Sequence, residues 1–194
     1  MITHKNFPTL ETKRLLLRNV AMEDVDFIYK HFSNERVCEF LYDEELFTSK
    51  QDAIEFVEWN KDPEEKGYNR WVLVQKDNQE PIGTCGYDNW DKWNHIAEIG
   101  YDLWHEYWGQ GYMKEALISA IESGFNHMKL NRINAYVALD NVNSMKLLDK
   151  LGFVNEGVYR DKHYFRGNYY DHYSYSLLKR DWDPSKHMKT EQTL

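Results

Sequence analysis

Cysteine is scarce: Cys38 and Cys85 are the only two in 194 residues, far apart and without C-x-x-C spacing. That excludes a zinc-finger pattern and a disulfide framework, and leaves buried free thiols in a reducing cytoplasm as the expectation. No block of Lys and Arg stands out and the formal net charge is −8, so the electrostatic footprint of a nucleic-acid binder is missing. No apolar run approaches membrane-spanning length, and the opening MITHKNFPTL lacks the apolar core of a signal peptide. Internal repeats and low-complexity tracts are absent. So is a G-x-x-x-x-G-K-[ST] phosphate loop. The expectation is a cytoplasmic protein that binds no nucleic acid, no membrane and no metal.

Apolar residues make up 42 % and charged residues 29 %, the balance of a soluble globular chain. The length suits one domain, read here as residues 1–182, with a polar and mobile tail over 183–194. Aromatics are abundant, with 14 Tyr and 7 Trp. A core built of large side chains explains them first, and stacking surfaces or an interface second. The acidic balance serves solubility, or a basic substrate.

Hydrophobic spacing gives the element order. KRLLLRNV (13–20) reads as a strand. AMEDVDFIYKHFS (21–33) and SKQDAIEFVEWN (49–60) have helical spacing, the second with Ser49 as a cap. WVLVQ (71–75), IGTCGYDNW (82–90) and HIAEIGYDLW (95–104) are hairpin-spaced strands, hence antiparallel. Met113, Ala116, Leu117, Ala120, Ile121, Gly124, Phe125 and Met128 mark a long amphipathic helix. RINAYVALD (132–140) is a strand, NVNSMKLLDKLGF (141–153) a short helix closed by Gly152, and two strands joined near Arg166-Gly167-Asn168 follow. The helix between strands 95–104 and 132–140 permits a parallel pair there. The fold class is mixed α/β, a mostly antiparallel sheet of about seven strands and four helices.

The junction EYWGQGYMKEAL carries the most information. Gly109 and Gly111 stand where a strand gives way to the long helix. A helix start leaves N–H groups unpaired, and with the helix dipole they attract anions. Glycines keep side chains away and permit unusual dihedrals. A phosphate or diphosphate cradle is one reading; a tight glycine turn is the other. GQGYMK lacks the third glycine of G-x-G-x-x-G.

Three runs, in order, resemble the GNAT superfamily of acyl-CoA-dependent N-acetyltransferases: IAEIGYDLWHEYWGQGYMKEAL, ALDNVNSMKLLDKLGF and EGVYRDKHYFRGNYYDHYSYSLL. With TKRLLLRNVAMEDVDFIY they are most similar to its ribosomal-protein-alanine (RimJ/RimL) branch, over roughly residues 10–182. The resemblance implies acetyl-CoA as cosubstrate and a sheet with one splayed parallel pair. The family's loop, [RQ]-x-x-G-x-[GA], aligns with Trp108, Gly109, Gln110, Gly111, Tyr112 and Met113; Trp108 and Met113 depart from its ends. By resemblance, amides of Gly109 to Met113 hold the diphosphate, and the backbone of Tyr101, Asp102 and Leu103 pairs with the pantetheine arm.

Acetyl transfer to an amine needs a proton acceptor, a donor to the thioester oxygen and a donor to the leaving thiolate. Glu98, flanked by apolar residues on a central strand, is the candidate base, directly or through water; pairing with an Arg or plain exposure is the alternative. By resemblance, Ser144 protonates the thiolate and Asn141 contacts the pantetheine arm; helix capping explains both residues as well. His163 falls near where the Rim branch has a Glu that handles the acceptor amine, with Asp161 beside it as an alternative, and an exposed hairpin His is the plainer reading. Tyr87, Trp90 and Trp93 serve as packing or as acceptor-pocket walls. The implied reaction is direct attack by a primary amine in a ternary complex, by a monomer or homodimer. The amine is a protein N-terminus first, or a small amine such as a polyamine, amino-acid derivative or aminoglycoside. A non-catalytic acyl-CoA-binding module is the rival from another class.

Overall fold

The computed structural model describes residues 7–43 and 45–188. Eight strands form one sheet: β1 (Leu10–Glu11), β2 (Leu15–Asn19), β3 (Asn69–Gln75), β4 (Pro81–Asp91), β5 (Ile96–Leu103), β6 (Arg132–Ala138), β7 (Val154–Phe165) and β8 (Asn168–Leu178). Their spatial order is β1-β2-β3-β4-β5-β6-β8-β7, antiparallel throughout except for β5 and β6. The helices are α1 (Val25–Phe32), α2 (Lys50–Trp59), α3 (Pro63–Lys66), α4 (Tyr112–Asn126), α5 (Val142–Leu151) and α6 (Ser185–Met188). None among the described residues is long and apolar enough to cross a membrane.

Strand alternation divides the side chains between two layers. On one face Leu15, Leu17, Trp71, Leu73, Ala97, Ile99 and Ile133 meet Leu117, Ile121 and Phe125 of α4 and Leu148 and Leu151 of α5. On the other, Val72 and Val74 meet Ile28 and Phe32 of α1 and Ala53 and Val57 of α2. Both faces of the central strands are covered, which is why β3 reads as a continuous apolar run.

The expected strands and long helices are present, and the additional elements are too short to show a period. β1 has two residues; α3 and α6 have four each, α3 opening with Pro63 at its first turn. The stretch 21–33 is not one helix: Met22–Asp24 forms a 3-10 turn because the Asp24 carboxylate accepts the Ala21 N–H at 2.9 Å and Arg18 at 2.7 and 2.8 Å. Within the segment read as a tail, α6 forms over 185–188 and His187 stacks on Trp182 with ring centroids 4.7 Å apart. Residues 189–194 lie outside the described residues.

Gly124 sits inside the apolar stripe of α4 for a steric reason. The Tyr87 hydroxyl donates to the Ala120 carbonyl at 3.0 Å, and a Cβ at 124 would lie 2.9 Å from the Tyr87 ring carbon Cζ. Tyr87 is fully buried by this contact and walls no acceptor pocket. Helix propensity alone would make Gly124→Ala stabilising by about 1 kcal/mol. Here the overlap decides, and the variant should unfold at lower urea with a net loss of about 1–2 kcal/mol. A stabilised variant would show that α4 has room to slide.

Candidate functional site

The parallel pairing of β5 and β6 is brief: Ile96, Ala97 and Glu98 match Arg132, Ile133 and Asn134, and then it stops. Beyond that point each strand follows its other neighbour. β5 stays with β4 as far as the Gly83–Leu103 pair, and β6 stays with β8 as far as Ala138–His172. The two diverge into a V, and the β6-facing backbone edge of β5 past Glu98 is left open. An extended ligand can add there as a strand does. Of Tyr101, Asp102 and Leu103, the Leu103 carbonyl already accepts the Trp108 indole N–H at 2.7 Å.

At the β5 end of the V the chain makes a 3-10 turn (His105–Tyr107) and enters α4 through Gly109 (φ 73°) and Gly111 (φ 80°). These left-handed dihedrals, rather than lack of space at Gly109, call for glycine, since a Cβ there would meet nothing within 4 Å. The backbone N–H groups of residues 109–114 have no acceptor among the described residues. The loop's side chains turn away. Trp108 is tied to Leu103, Gln110 Nε2 donates to the Glu106 carbonyl at 2.8 Å, and the Tyr112 hydroxyl accepts from Gln75 at 2.8 Å. Met113 is buried in the core. What remains is a bare row of amides at the positive end of a helix, which fits a diphosphate.

On the β6 side, Asn141 caps α5 by accepting the Ser144 N–H at 3.1 Å. The Ser144 hydroxyl meets the Tyr101 hydroxyl at 2.6 Å, closing a link between β5 and α5. Burial pushes the Tyr101 phenol well above its ordinary value, while Ser144 pulls it back. The Tyr101 phenol therefore keeps its proton near neutrality.

The opposite face of the V carries the polar side chains. Glu98 is half-buried and accepts from Asn89 at 3.0 Å, and its charge reaches both Tyr136 and His163. His163 packs edge-on against the buried His172 with ring centroids 4.8 Å apart. Asp161, at the β7 bulge with φ 52°, is exposed and donates its N–H to Asp171 at 2.8 Å. The Asp102 side chain faces away from the V. It accepts from the Thr84 N–H at 3.1 Å and hydroxyl at 2.7 Å and bonds His31 at 2.6 Å beneath α1. Its carboxyl is held low: burial opposes this, but His31, Arg70 and Thr84 together outweigh burial. Trp90 packs edge-on against Phe7, and Trp93 is 89 % exposed at the β4–β5 turn, so neither lines the V.

Residues 14–154 match the family described as "Acetyltransferase (GNAT) domain". The chain belongs to the GNAT acetyltransferase family. It is similar to an uncharacterised N-acetyltransferase of Bacillus licheniformis, 39 % identical over 175 residues that cover 90 % of this chain and 98 % of that one. Among solved structures it resembles the ribosomal-protein-S5-alanine acetyltransferase of Vibrio fischeri, with TM-score 0.75 and 29 % identity over 91 % and 100 % of the two chains. It also shares its fold with the spermidine N-acetyltransferase of Vibrio cholerae bound to CoA and spermine, with TM-score 0.76 and 23 % identity over 87 % and 97 %. As a GNAT acetyltransferase the protein uses acetyl-CoA as cosubstrate.

Three side chains beside the V escaped sequence reasoning. The Tyr101 hydroxyl was hidden behind its backbone role, although strand alternation places it on the α5 face. His172 and Tyr136 come to the Glu98 side of the sheet through pairing of β6 with β8, which no local pattern announces. Among the described residues no cluster of His, Cys, Asp and Glu could hold a metal ion.

Burial holds both the His163 and the His172 imidazoles below their ordinary value. Lys162 acts in the same direction on each and Asp43 against it; Glu98 also opposes it at His163, and the Tyr170 carbonyl at His172. Below about pH 6.5 the unfolded chain therefore binds protons that the folded state resists, and stability falls as the pH drops. Urea midpoints measured at pH 7.5 and 5.5 should diverge, and His172→Gln should shrink the difference. Equal pH slopes for the two proteins would remove His172 from this account.

Proposed function

We propose that the protein acetylates the α-amine of a polypeptide N-terminus by direct attack on acetyl-CoA within a ternary complex. The observation that carries the acceptor class is the shape of the trough that ends at Asp88 on β4. This trough of about 640 Å³ is lined by Glu45, Asp52, Glu55, Trp59, Arg70 and Asp88. Asp88 stands directly across the β4–β5 ladder from Glu98. Glu45, Glu55 and Trp59 are exposed, so the trough is an open channel that admits a chain, not a closed cup. Arg166 pairs with Glu45 and Arg70 with Asp88, so the four carboxylates still exceed the two guanidiniums, which suits a cationic amine. The same acidity supports a polyamine as second reading, and both acceptor types occur in the names of similar proteins.

In this reading the diphosphate lies on the amides of Gly109 to Met113, and the pantetheine arm runs along the open edge of β5 near Asn141. Glu98 takes the proton that the ammonium must lose, directly or through water, with His163 beside it. The nitrogen attacks the thioester carbon, the C–N bond forms and the C–S bond breaks. The second proton that the nitrogen sheds on becoming an amide balances the one that the departing thiolate takes from Ser144, whose hydroxyl lies 2.6 Å from that of Tyr101. No covalent enzyme intermediate is needed.

Release of free CoA thiol, followed over N-terminal peptides of ribosomal proteins and over spermidine, amino-acid amides and aminoglycosides, tests the acceptor class. Peptides should turn over with the higher kcat/KM; a small amine that outruns every peptide would replace the first reading with the second. Glu98→Gln should lower kcat by about 10²–10⁴-fold. Ser144→Ala should cost about tenfold, since Tyr101 remains. Unchanged rates in both variants would remove these roles.

A further inference from the structure

Arg14 lies on β2's approach, ninety-six residues before the loop it touches. Its Nη1 donates to the Gln110 carbonyl at 3.0 Å, its Nε to Glu115 Oε2 at 2.7 Å, and its guanidinium carbon stands 4.1 Å from the centre of the Tyr112 ring. Nη2 lies 3.5 Å from where a Cβ on Gly111 would be. Glu115 is itself fixed, because its Oε1 accepts the Arg14 N–H at 2.7 Å and the Thr12 hydroxyl at 2.6 Å. Meanwhile loop 108–113 contains no basic side chain.

We propose that Arg14 is the positioning residue of the diphosphate cradle, aiming the loop's amides at the ligand from behind and placing a cation beside them. Peptide planarity gives the reason. The Gln110 carbonyl and the Gly111 N–H belong to one trans peptide and point in opposite directions. A guanidinium that holds the carbonyl inward therefore turns that N–H outward, at a position where left-handed glycines would otherwise leave the plane free to rotate. The brace through Glu115 ties the same guanidinium to the first turn of α4, so loop and helix start move as one unit. A lysine has one point of contact and cannot serve the carbonyl and the carboxylate in this fork geometry. The inference rests on the reading that amides 109–113 hold the diphosphate.

Two thioesters separate the possibilities: acetyl-CoA, and acetyl-pantetheine, which lacks the diphosphate and the adenosine. Arg14→Ala should raise KM for acetyl-CoA about 10- to 100-fold with much less change in kcat, and Arg14→Lys should recover only part of it. On acetyl-pantetheine the variants and the wild type should converge. Equal losses on both thioesters would reduce Arg14 to a fold-stabilising residue and overturn the proposal, as would no loss on either. If Arg14→Ala fails to fold, Arg14→Lys carries the same comparison. A wild-type enzyme indifferent to the diphosphate would instead overturn the cradle itself. A wild type that prefers acetyl-CoA, with variants that keep the full preference, would sink the Arg14 assignment alone.

Discussion

The V exists because two parallel strands stop pairing. Had β5 and β6 continued their ladder past Glu98 and Asn134, the backbone between them would be satisfied and no extended ligand could enter. The ladder ends because each strand has a stronger commitment elsewhere, β5 to β4 and β6 to β8, and sheet twist draws the two pairs apart. Open backbone groups inside a protein are costly unless something answers them. The fold accepts that cost at one place and puts α4 and α5 at the two lips of the opening. The amide row of residues 109–114 and the Ser144–Tyr101 contact are both consequences of that placement.

The two faces of the sheet at the V have different chemistry for a simple reason. Alternation along β5 sends Ala97 and Ile99 into the α4 layer and Glu98 and Asp102 to the α1 side. The α1 side then has to manage two carboxylates four residues apart. Asp102 is consumed structurally by His31, Thr84 and Arg70. Glu98, at the mouth of the V and half-buried, has only Asn89 as a side-chain partner among the described residues. Of two acids on the same strand face, one is thus a buried anchor and the other is available for proton transfer.

Legibility in the sequence followed the range of the interaction. The long helix, the hairpin-spaced strands and the glycine turn are local patterns, and they stand in the structure where spacing put them. The parallel pair was legible because a helix separates its strands. The point at which that pair parts was not, since it depends on β8 inserting between β6 and β7. Asp102 illustrates the limit within the site: its backbone lies on the open strand, but its side chain pairs with a histidine 71 residues earlier. Short elements escaped for another reason, because four residues, as in α3 and α6, complete barely one helical turn and show no period.

Both lips of the opening are braced by polar side chains reaching in from residues 12–31. Arg14 and Thr12 hold Glu115 on α4, and His31 holds Asp102 on β5. Neither brace adds much net stability on physical grounds. The first is partly exposed, and a buried pair repays its desolvation only with good geometry. Their value lies in direction. A diphosphate bound by amides gains most when those amides need not reorganise, and an open strand edge can accept an extended arm only if it stays straight. Polar contacts that contribute little to folding can contribute to binding by fixing orientation beforehand. In the proposed function this gives residues 12–31, which are remote in sequence from both the amide row and Glu98, a part in orienting the ligand.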